Sequence, residues 1–346
     1  MFFKSKKQQV IGLDIGSGLI KVVVLEHAKD SISLVNYKMI SLLPDAIVDG
    51  EIMDRLAVVD TIRDLIQQSS IKTKDVVTAV SGRAVIIKRI KVDKCTPEEL
   101  AESIRFEAES YVPYQIDEVN VDFQILDDTE EGAQMDVLLV AAKKDHVNNY
   151  TSLIKEAGLN PRRVDVDSFA IQNAYEHNYS IDLDKTIAFL NIGSSVTNVN
   201  IMRGGFPYFT RDVTFAGNTI ISALQKNIGL SYDDASAILK GEEKPGIDNE
   251  AVESVVSTIA KDLALEINRS FAALKSVGAD ISKIDLLILS GGCAKSPGLK
   301  SYFENNLNVQ VEVLNPIKRV NISSKPDIAE DAHIYTLALG LALVAP

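Results

Sequence analysis

Glycine and serine residues follow a strand-like apolar run at two places in the chain. The first segment reads LDIGSGLIK over residues 13–21, and the second reads LNIGSSVT over residues 190–197. A turn of this composition exposes successive backbone N–H groups and small hydroxyls without a Cβ in the way, which suits a phosphate. The two segments therefore predict two phosphate-binding hairpins that hold one anionic group between them.

A third segment has the composition of a surface for a flat ring. Residues 286–289 form a short apolar run typical of a buried strand, and the sequence SGGCAKSPGL follows it. Gly291 and Gly292 allow a base or a ribose to lie directly against the backbone. A single Gly-rich turn is often a purely structural hairpin, so the functional interpretation depends on all three segments occurring together.

The order of these segments resembles that of the actin-like ATPase superfamily, whose fold consists of duplicated RNase H-like domains. The first turn matches the superfamily pattern D-x-G-S-G-x-x-K without a gap, at Asp14, Gly16, Ser17, Gly18 and Lys21. The resemblance implies an α/β protein with two lobes and a nucleotide cleft between them. Its implied cofactors are ATP and Mg²⁺.

The same resemblance implies roles for individual residues. Asp14 is the implied anchor of Mg²⁺ through water, since Mg²⁺ keeps most of its waters and is held through one or two carboxylates plus phosphates. Asp234 and Lys240 lie where relatives place residues that touch the ribose or the base, although an ordinary surface helix would look the same. The implied residues at the β-phosphate are Gly16, Ser17, Gly18 and Lys21. Those on the γ-phosphate side are Gly193, Ser194, Ser195 and Thr197. Those at the adenosine are Gly291, Gly292 and Lys295, and Gly217 is implied as a further N–H donor.

The second turn departs from the superfamily at Asn191, where actin-like ATPases have an acidic residue. An amide orients water but brings no negative charge to hold Mg²⁺ or to take a proton from the attacking water. Asp165 and Asp167 lie where the superfamily often places a water-orienting residue, although Asp167 also suits the N-cap of a helix over residues 168–175. With Asp14, Asp167 and Asn191 as catalytic candidates, we expect nucleotide binding with slow or absent hydrolysis.

Composition argues against several other classes of protein. The 346 residues are 46% hydrophobic and carry a net charge of −12 without a long basic run, which disfavours nucleic-acid binding. Cys95 and Cys293 are too few for a zinc site or a disulfide framework and fit a reducing compartment. The amino-terminal MFFKSKKQQ lacks the apolar core of a signal peptide, and the apolar residues 334–346 are too few to span a bilayer. We expect a cytoplasmic protein with a solvated amino-terminal tail and no membrane span.

Apolar periodicity predicts two lobes and an insertion. In the first lobe, Leu56, Val59, Ile62 and Ile66 predict the buried face of a helix over residues 54–68. The predicted units are a first lobe core over residues 1–83, an inserted small α/β subdomain over 84–163, a return and connecting helix over 164–185, and a second lobe over 186–346. The second lobe includes a helical subdomain at about 231–279 and an inter-lobe helix at 334–343.

The insertion is similar to the small subdomain of FtsA, which narrows the resemblance to the FtsA branch of the superfamily. Within that branch the chain is most similar to the PilM family of type IV pilus assembly, which has a short amino end of the MFxxKxKK kind and a bare carboxyl end. This resemblance implies an ATP-bound adaptor that holds the cytoplasmic N-terminal tail of a PilN-like membrane protein. The partner would recruit it to the inner face of the cytoplasmic membrane. The pilus motor ATPase and a second copy of the chain are further candidate partners.

Two other functions stay open at the level of sequence. One is a cytoskeletal or division ATPase, similar to FtsA or MreB, that polymerises at the membrane. The other is a phosphotransferase for a small substrate, which is disfavoured because no clear insertion supplies a substrate site. For the adaptor, the strands over Val76–Val80 and Val85–Val92 predict a groove between the insertion and the first lobe that takes an extended peptide.

Overall fold

The computed structural model describes residues 8–29, 31–48, 50–127, 133–276, 283–322 and 328–344. The amino-terminal tail lies outside the described residues up to residue 7, as does the expected end of the helical subdomain near residue 279. The first half of the chain forms, in order, β1 (Gln8–Ile15), β2 (Leu19–Ala28), β3 (Ser31–Ser41), β4 (Ile47–Val48), β5 (Glu51–Ile52), α1 (Arg55–Ser69), β6 (Asp75–Val80), β7 (Val85–Asp93), α2 (Pro97–Ala108), β8 (Val119–Asp127), β9 (Gln134–Lys143), α3 (Lys144–Glu156), β10 (Asn160–Val166) and α4 (Asp167–Asn178).

The second half repeats the alternation of strands and helices. Short 3-10 turns lie at Ile116–Glu118 in the first half and at Ala332–Tyr335 in the second. The elements of the second half are β11 (Thr186–Ile192), β12 (Thr197–Arg203), β13 (Phe206–Val213), α5 (Gly217–Ile228), α6 (Tyr232–Leu239), α7 (Asn249–Ser276), β14 (Leu286–Ser290), α8 (Leu299–Leu307), β15 (Gln310–Val313), β16 (Asn321–Ile322), α9 (Ile328–Asp331) and α10 (Thr336–Leu343).

Each lobe is built on a sheet with the same central arrangement. The first sheet has the strand order β10-β6-β1-β2-β3-β16 and the second has the order β13-β12-β11-β14-β15. β1 pairs antiparallel with β2 and parallel with β6, and β11 pairs antiparallel with β12 and parallel with β14. The first Gly-Ser segment joins β1 to β2 and the second joins β11 to β12, so the two predicted turns occupy equivalent positions in the two lobes.

The insertion contains a separate antiparallel sheet with the strand order β7-β9-β8. α2 covers one face of this sheet, where Leu100 and Ile104 pack with Ile90 and Val137. A capping box fixes the start of this helix: the Thr96 hydroxyl accepts the Glu99 N–H, and the Glu99 carboxylate accepts the Thr96 N–H at 2.9 Å.

One part of the predicted peptide groove is wrong. β6 lies inside the first sheet between β10 and β1, and all of its residues after Asp75 are buried, so it presents no strand edge. β7 is at the edge of the inserted sheet. An extended peptide that adds to a sheet needs an exposed edge, so β7 is the element of this pair that fits the expectation.

Helices α4 and α10 lie between the two sheets and pack closely on their neighbours. A Cβ built on Gly12 of β1 would lie 1.8 Å from the Ala338 carbonyl oxygen in α10, and one built on Gly340 would lie 1.8 Å from the Ala170 carbonyl oxygen in α4. Both contacts bring backbone against backbone, which is only possible where the residue has no side chain. The shared core around these helices includes Val10, Val77, Ala170, Ile171, Phe189, Met202, Leu337 and Leu341.

The predicted buried face of α1 is confirmed at three of its four residues. Val59 and Ile62 are fully buried, and Ile66 packs partly buried against the core of the first lobe. The prediction is wrong at Leu56, which is 68% exposed. Leu56 lies two residues before the buried Val58, about 200° away around a helix that turns about 100° per residue.

The sequence analysis also missed β10. This strand pairs parallel with β6 and reads NPRRVDV, with most of its side chains exposed or half-buried, so it lacks an apolar pattern. The boundary expected at residue 163 falls inside it. Leu153 and Ile154 of α3 pack with Ile62 of α1 in the core of the first lobe. The exact division into units stays a prediction.

The apolar stripe of α7 forms part of the core of the second lobe, as is usual for an amphipathic helix. Val252, Val256, Leu263 and Ile267 are fully buried against the second sheet and its helices. Among the residues that the structure describes, no helix is long and apolar enough to cross a membrane.

Gly340→Ala should destabilise the protein because the new methyl group would overlap the Ala170 carbonyl oxygen. Alanine gains about 1 kcal/mol of helix propensity over glycine, but a backbone overlap forces the helices apart, and overpacking costs typically about 1–3 kcal/mol net. Urea titrations measure the free energy of unfolding. Gly292→Ala is the control, since its Cβ would meet no atom within 4 Å; equal stability of the two variants would contradict the close approach.

Candidate functional site

The two Gly-Ser turns have the same backbone geometry. The Gly16 N–H donates to the Leu19 carbonyl at 3.2 Å, and the Gly193 N–H donates to the Val196 carbonyl at 3.0 Å. A Cβ on Gly16 or on Gly193 would lie 2.9 Å from the carbonyl oxygen that its own N–H bonds. Each hairpin therefore requires glycine at its first position, which is the residue that the sequence places there.

The fold brings the two turns into direct contact. A Cβ on Gly18 would lie 2.1 Å from the Ser194 hydroxyl oxygen, so the tip of the first turn touches the tip of the second. Ser17 and Ser195 are half-buried beside them. The paired motifs predict two turns that lie beside each other, and the structure brings their tips together; the phosphate between them stays a prediction.

Asp14 and Lys21 form an ion pair at the base of the first turn. The Lys21 Nζ donates to the Asp14 Oδ2 at 2.6 Å, and both side chains are close to nine-tenths buried. A charge-assisted hydrogen bond of this length in a sheltered place holds both groups in one geometry. It orients the carboxylate and the ammonium on the same side of the turn, beside the cleft.

The side chain of Asn191 is held at both ends. Its Nδ2 donates to the Asn198 Oδ1 at 3.1 Å, and its Oδ1 accepts the Ser290 hydroxyl at 3.2 Å. The amide therefore uses its main donor and its acceptor on protein groups. An aspartate would lack the N–H that bonds Asn198, so the amide fits this hydrogen-bond pattern better than the superfamily acid does.

Two of the expected phosphate ligands are engaged inside the protein. The Gly217 N–H at the start of α5 donates to the Gly193 carbonyl at 2.9 Å. The Thr197 side chain is fully buried, and its hydroxyl donates to the Phe215 carbonyl at 2.5 Å. In this geometry both residues stabilise the second turn through hydrogen bonds inside the protein. The sequence placed Thr197 in the motif and Gly217 before a helix, but neither position shows which way a donor points.

The Gly-Gly loop is joined to the second turn and to the chain before α10. Gly291 has a φ of 87°, and its N–H donates to the His333 carbonyl at 3.0 Å. A Cβ on Gly291 would lie 2.5 Å from the Ile192 carbonyl oxygen, whereas a Cβ on Gly292 would meet no atom within 4 Å. Gly291 is thus needed for the turn, and Gly292 offers the open backbone surface that a flat ring requires.

The remaining adenosine candidates make local contacts. The Lys295 ammonium donates to the Glu330 carbonyl. The Asp234 Oδ2 accepts the hydroxyl of Ser231, which is the N-cap of α6, and Lys240 is the C-cap of the same helix. The geometry of Asp234 is that of the ordinary surface helix that the sequence analysis kept as its alternative.

A small cavity of about 50 Å³ opens where the two lobes meet the insertion. Asp167, Ser168, Asn198 and Asp212 line it, and the Ser168 hydroxyl, which is buried, has no hydrogen-bond partner within the described part of the chain. A polar cavity of this size has room for one or a few waters. The sequence analysis missed Asn198 and Asp212 because each lies within a strand and neither belongs to a motif.

The carboxyl groups around this cavity have raised pKa values. Burial and, to a smaller extent, the charge of Asp14 together raise the pKa of Asp167 to about 7, against the opposing effect of a hydrogen bond with Ser81. Burial also raises the pKa of Asp212 and of Asp165 above the ordinary range. Close carboxylates in a sheltered site cannot all ionise freely.

The expected N-cap role of Asp167 is wrong. Val166 occupies the N-cap of α4 and makes no side-chain cap, while Asp167 is the first helical residue. Because its carboxyl bonds Ser81 instead, it faces the first lobe and the cavity. Asp165 differs: its Oδ1 accepts the N–H of the following residue at 2.8 Å. Of the two candidates, Asp167 is the one that lines the cavity.

Comparison with known families identifies the chain's relatives. The model of the family described as type IV pilus assembly protein PilM matches residues 12–345. Cell division protein FtsA of Escherichia coli (strain K12) is 22% identical over 391 aligned positions, which cover 99% of this chain and 91% of FtsA. The predicted membership of the PilM and FtsA branch is therefore confirmed.

Solved structures support the same assignment. A chain of a PilM-PilN type IV pilus biogenesis complex superimposes with a TM-score of 0.82 at 27% identity and covers 96% of this chain and 97% of its own length. MreB 5 of Spiroplasma citri bound to AMPPNP superimposes with a TM-score of 0.52 at 13% identity, with coverages of 96% and 94%. The predicted two-lobed actin-like ATPase fold is confirmed.

The raised pKa of Asp167 should make the stability of the nucleotide-free protein depend on pH. The pKa of this carboxyl is about 7 in the folded protein and 3.8 where nothing perturbs it, so between these values the folded state holds a proton that the unfolded state has lost. The free energy of unfolding then falls as the pH rises through this window. Asp167→Asn removes this contribution, and we expect a shallower fall and a variant more stable than wild type at about pH 8.

Denaturant titrations across the window measure this difference. The control is Asp75→Asn, an exposed carboxylate whose pKa is lowered by hydrogen bonds from Asn160 and Arg162. It should keep the fall with pH that wild type shows. An Asp167→Asn profile parallel to wild type would show that this carboxyl ionises normally in the folded protein.

Proposed function

The chain belongs to the PilM family of type IV pilus assembly proteins, and we propose that it is an ATP-binding cytoplasmic adaptor that holds the short cytoplasmic tail of a PilN-like inner-membrane protein. The observation that carries the nucleotide part is the contact between Gly18 and Ser194. This contact supports the proposal because it brings two glycine-serine turns close enough to bind the phosphates of one nucleotide. The partner would recruit the adaptor to the inner face of the cytoplasmic membrane.

The cleft has the groups that a nucleotide triphosphate requires. Backbone N–H groups and small hydroxyls of the two turns suit the phosphates, since successive N–H groups in a turn bind anions. The open backbone at Gly292 suits the adenine or the ribose. The Lys21 ammonium offers a cation close to the first turn, and the Asp14 carboxylate is the group that would hold Mg²⁺ through its waters.

We propose that hydrolysis is slow or absent. Asn191 is neutral and is held by Asn198 and Ser290, so it withholds the charge that its acidic counterpart would bring. Asp167 has a pKa of about 7, which is suited to a general base. The second turn, however, supplies no carboxylate beside Asp167, because Asn191 stands there. This favours a nucleotide-dependent switch over a turnover enzyme.

The partner part of the proposal rests on the family and on the edge of the inserted sheet. The similar solved chain comes from a PilM-PilN complex, which says what that protein binds. In this chain, β7 is an edge strand whose Val85 and Ile87 line the cavity at the junction of the lobes. A peptide paired with this edge would gain main-chain hydrogen bonds and side-chain pockets.

A polymerising ATPase related to FtsA is the second candidate, because FtsA aligns with almost the whole chain. That function predicts sedimentable filaments with MgATP and turnover on the order of 1 s⁻¹ or more, as kinases show. The adaptor predicts neither. The pilus motor ATPase and a second copy of the chain stay candidate partners under both proposals.

MgATP should raise the melting temperature of the protein. A ligand that binds only the folded state stabilises it by about 2.7 kcal/mol at a hundredfold excess over Kd. Gly292→Leu should lose most of this shift because its side chain would fill the space proposed for the base, while Gly292→Ala should retain more of it. Absence of any shift with millimolar MgATP in the folded wild-type protein would sink the nucleotide proposal.

A peptide that copies the cytoplasmic tail of the PilN-like partner should bind with micromolar strength, about −8 kcal/mol. Ile87→Glu should abolish binding because it places a charge in the apolar part of the β7 face. Phe106→Glu is the control, since Phe106 lies on α2 with 73% of its surface exposed. Fluorescence anisotropy measures both, and equal weakening by the two variants would place the tail elsewhere.

A further inference from the structure

Four side chains form a continuous hydrogen-bonded row across the second lobe. Ser290 donates to Asn191 at 3.2 Å, Asn191 donates to Asn198 at 3.1 Å, and Asn198 Nδ2 donates to Asp212 Oδ1 at 2.7 Å. We call these four residues the polar relay. Every bond in it points toward Asp212, because each amide accepts with its oxygen and donates with its nitrogen.

The relay ends on the first lobe. The Gly82 N–H donates to the Asp212 Oδ2 at 2.6 Å, a contact between residues 130 positions apart. Gly82 lies in the short segment that joins β6 to β7, immediately after Ser81, whose side chain bonds Asp167. The relay therefore runs from the strand end beside the Gly-Gly loop to the root of the inserted sheet.

Only a carboxylate fits the last position of this row. Asp212 uses one oxygen for each lobe, and both bonds are donated to it, so the side chain must accept with both of its oxygens. An asparagine has a single acceptor and would present its N–H₂ group to one of the two donors. A buried carboxylate is costly unless its charge is compensated by hydrogen bonds, and here those bonds come from two different lobes.

Few other contacts join the inserted sheet to the second lobe in the described part of the chain. The Arg89 guanidinium of β7 lies 4.6 Å from the centre of the Tyr208 ring of β13. The same guanidinium pairs with Asp136 of the inserted sheet, and its side chain is 26% exposed. The Asp212–Gly82 bond is shorter and directional, and it joins the second lobe to the segment that leads into the inserted sheet.

We propose that Asp212 is a positioning residue that transmits nucleotide binding in the cleft to the inserted sheet. A phosphate at the second turn and a base at the Gly-Gly loop act on the Asn191 and Ser290 end of the relay. A shift of that end moves Asn198 and changes the bond that Asp212 makes to Gly82. The inference rests on the proposed nucleotide binding. It requires that a nucleotide bound at the Asn191 and Ser290 end changes the mobility of the inserted sheet, or its affinity for a partner, at the Asp212 end.

Hydrogen–deuterium exchange of the full chain, with and without MgATP, tests the inference. Segment 13–21 reports nucleotide in the cleft, and segment 81–93 reports the root of the inserted sheet. In wild type we expect MgATP to slow exchange at both, by about fivefold or more at the second, the lower end of common coupling factors. In Asp212→Asn and in Asn198→Ala, the MgATP effect on segment 81–93 should fall below about twofold while that on segment 13–21 persists.

Asn198→Ala separates transmission from simple support. This variant leaves the Asp212–Gly82 bond in place, so exchange of segment 81–93 without nucleotide should match that of wild type. If Asp212 had a purely structural role, the MgATP effect on segment 81–93 would also be intact in this variant. Asp75→Asn is the matched aspartate control, and Arg89→Gln removes the cation–ring contact between β7 and β13. Both should retain the MgATP effect at segment 81–93.

The outcomes separate the two proposals. A retained MgATP effect on segment 81–93 in Asn198→Ala or Asp212→Asn overturns the inference. Wild-type protein that is protected at segment 13–21 alone overturns the inference and leaves nucleotide binding standing. Wild-type protein that is protected at neither segment overturns both the proposed function and the transmission that depends on it.

Discussion

The backbone contact between α4 and α10 sets the spacing of the two lobes. Gly340 lets α10 approach the Ala170 carbonyl, and Gly12 lets the same helix lie directly on β1. α4 carries Asp167 at its first turn, and the turn before α10 supplies the His333 carbonyl that holds the Gly-Gly loop. The steric condition that joins the lobes therefore also sets the depth and the walls of the cleft.

Negative charge in the cleft is controlled in different ways at its two sides. At the first turn, Asp14 is compensated by Lys21 within 2.6 Å. Toward the insertion, Asp167 is sheltered from water, which favours its protonated form, while both oxygens of Asp212 accept hydrogen bonds, from Asn198 and Gly82. A highly charged polyphosphate entering this space meets less repulsion than the count of carboxylates suggests, and a divalent cation that arrives with it would reduce the repulsion further.

The motifs made the fold and much of the cleft predictable, because a strand that ends in glycine and serine has few structural alternatives. The turns at Gly16 and Gly193 lie where their spacing placed them. The direction of each side chain was harder to predict from the sequence. The hydroxyl of Thr197, for example, donates to the Phe215 carbonyl inside the second lobe and not toward a phosphate. The pairing of Asp212 with Gly82 joins two lobes, and no local pattern of residues encodes such a contact.

The first sheet is completed by residues that are synthesised late. β16 pairs with β3 through Asn321 and Ser33, and α10 covers β1 and β2 from the other end of the sequence. The inserted sheet, in contrast, pairs β9 with β8 and with β7, so all of its strand pairings lie within residues 85–143. During synthesis the insertion has its partners early, whereas apolar residues such as Val23 and Leu25 wait for almost the whole chain to leave the ribosome, a period in which an unpaired sheet face is prone to aggregate or to bind a chaperone.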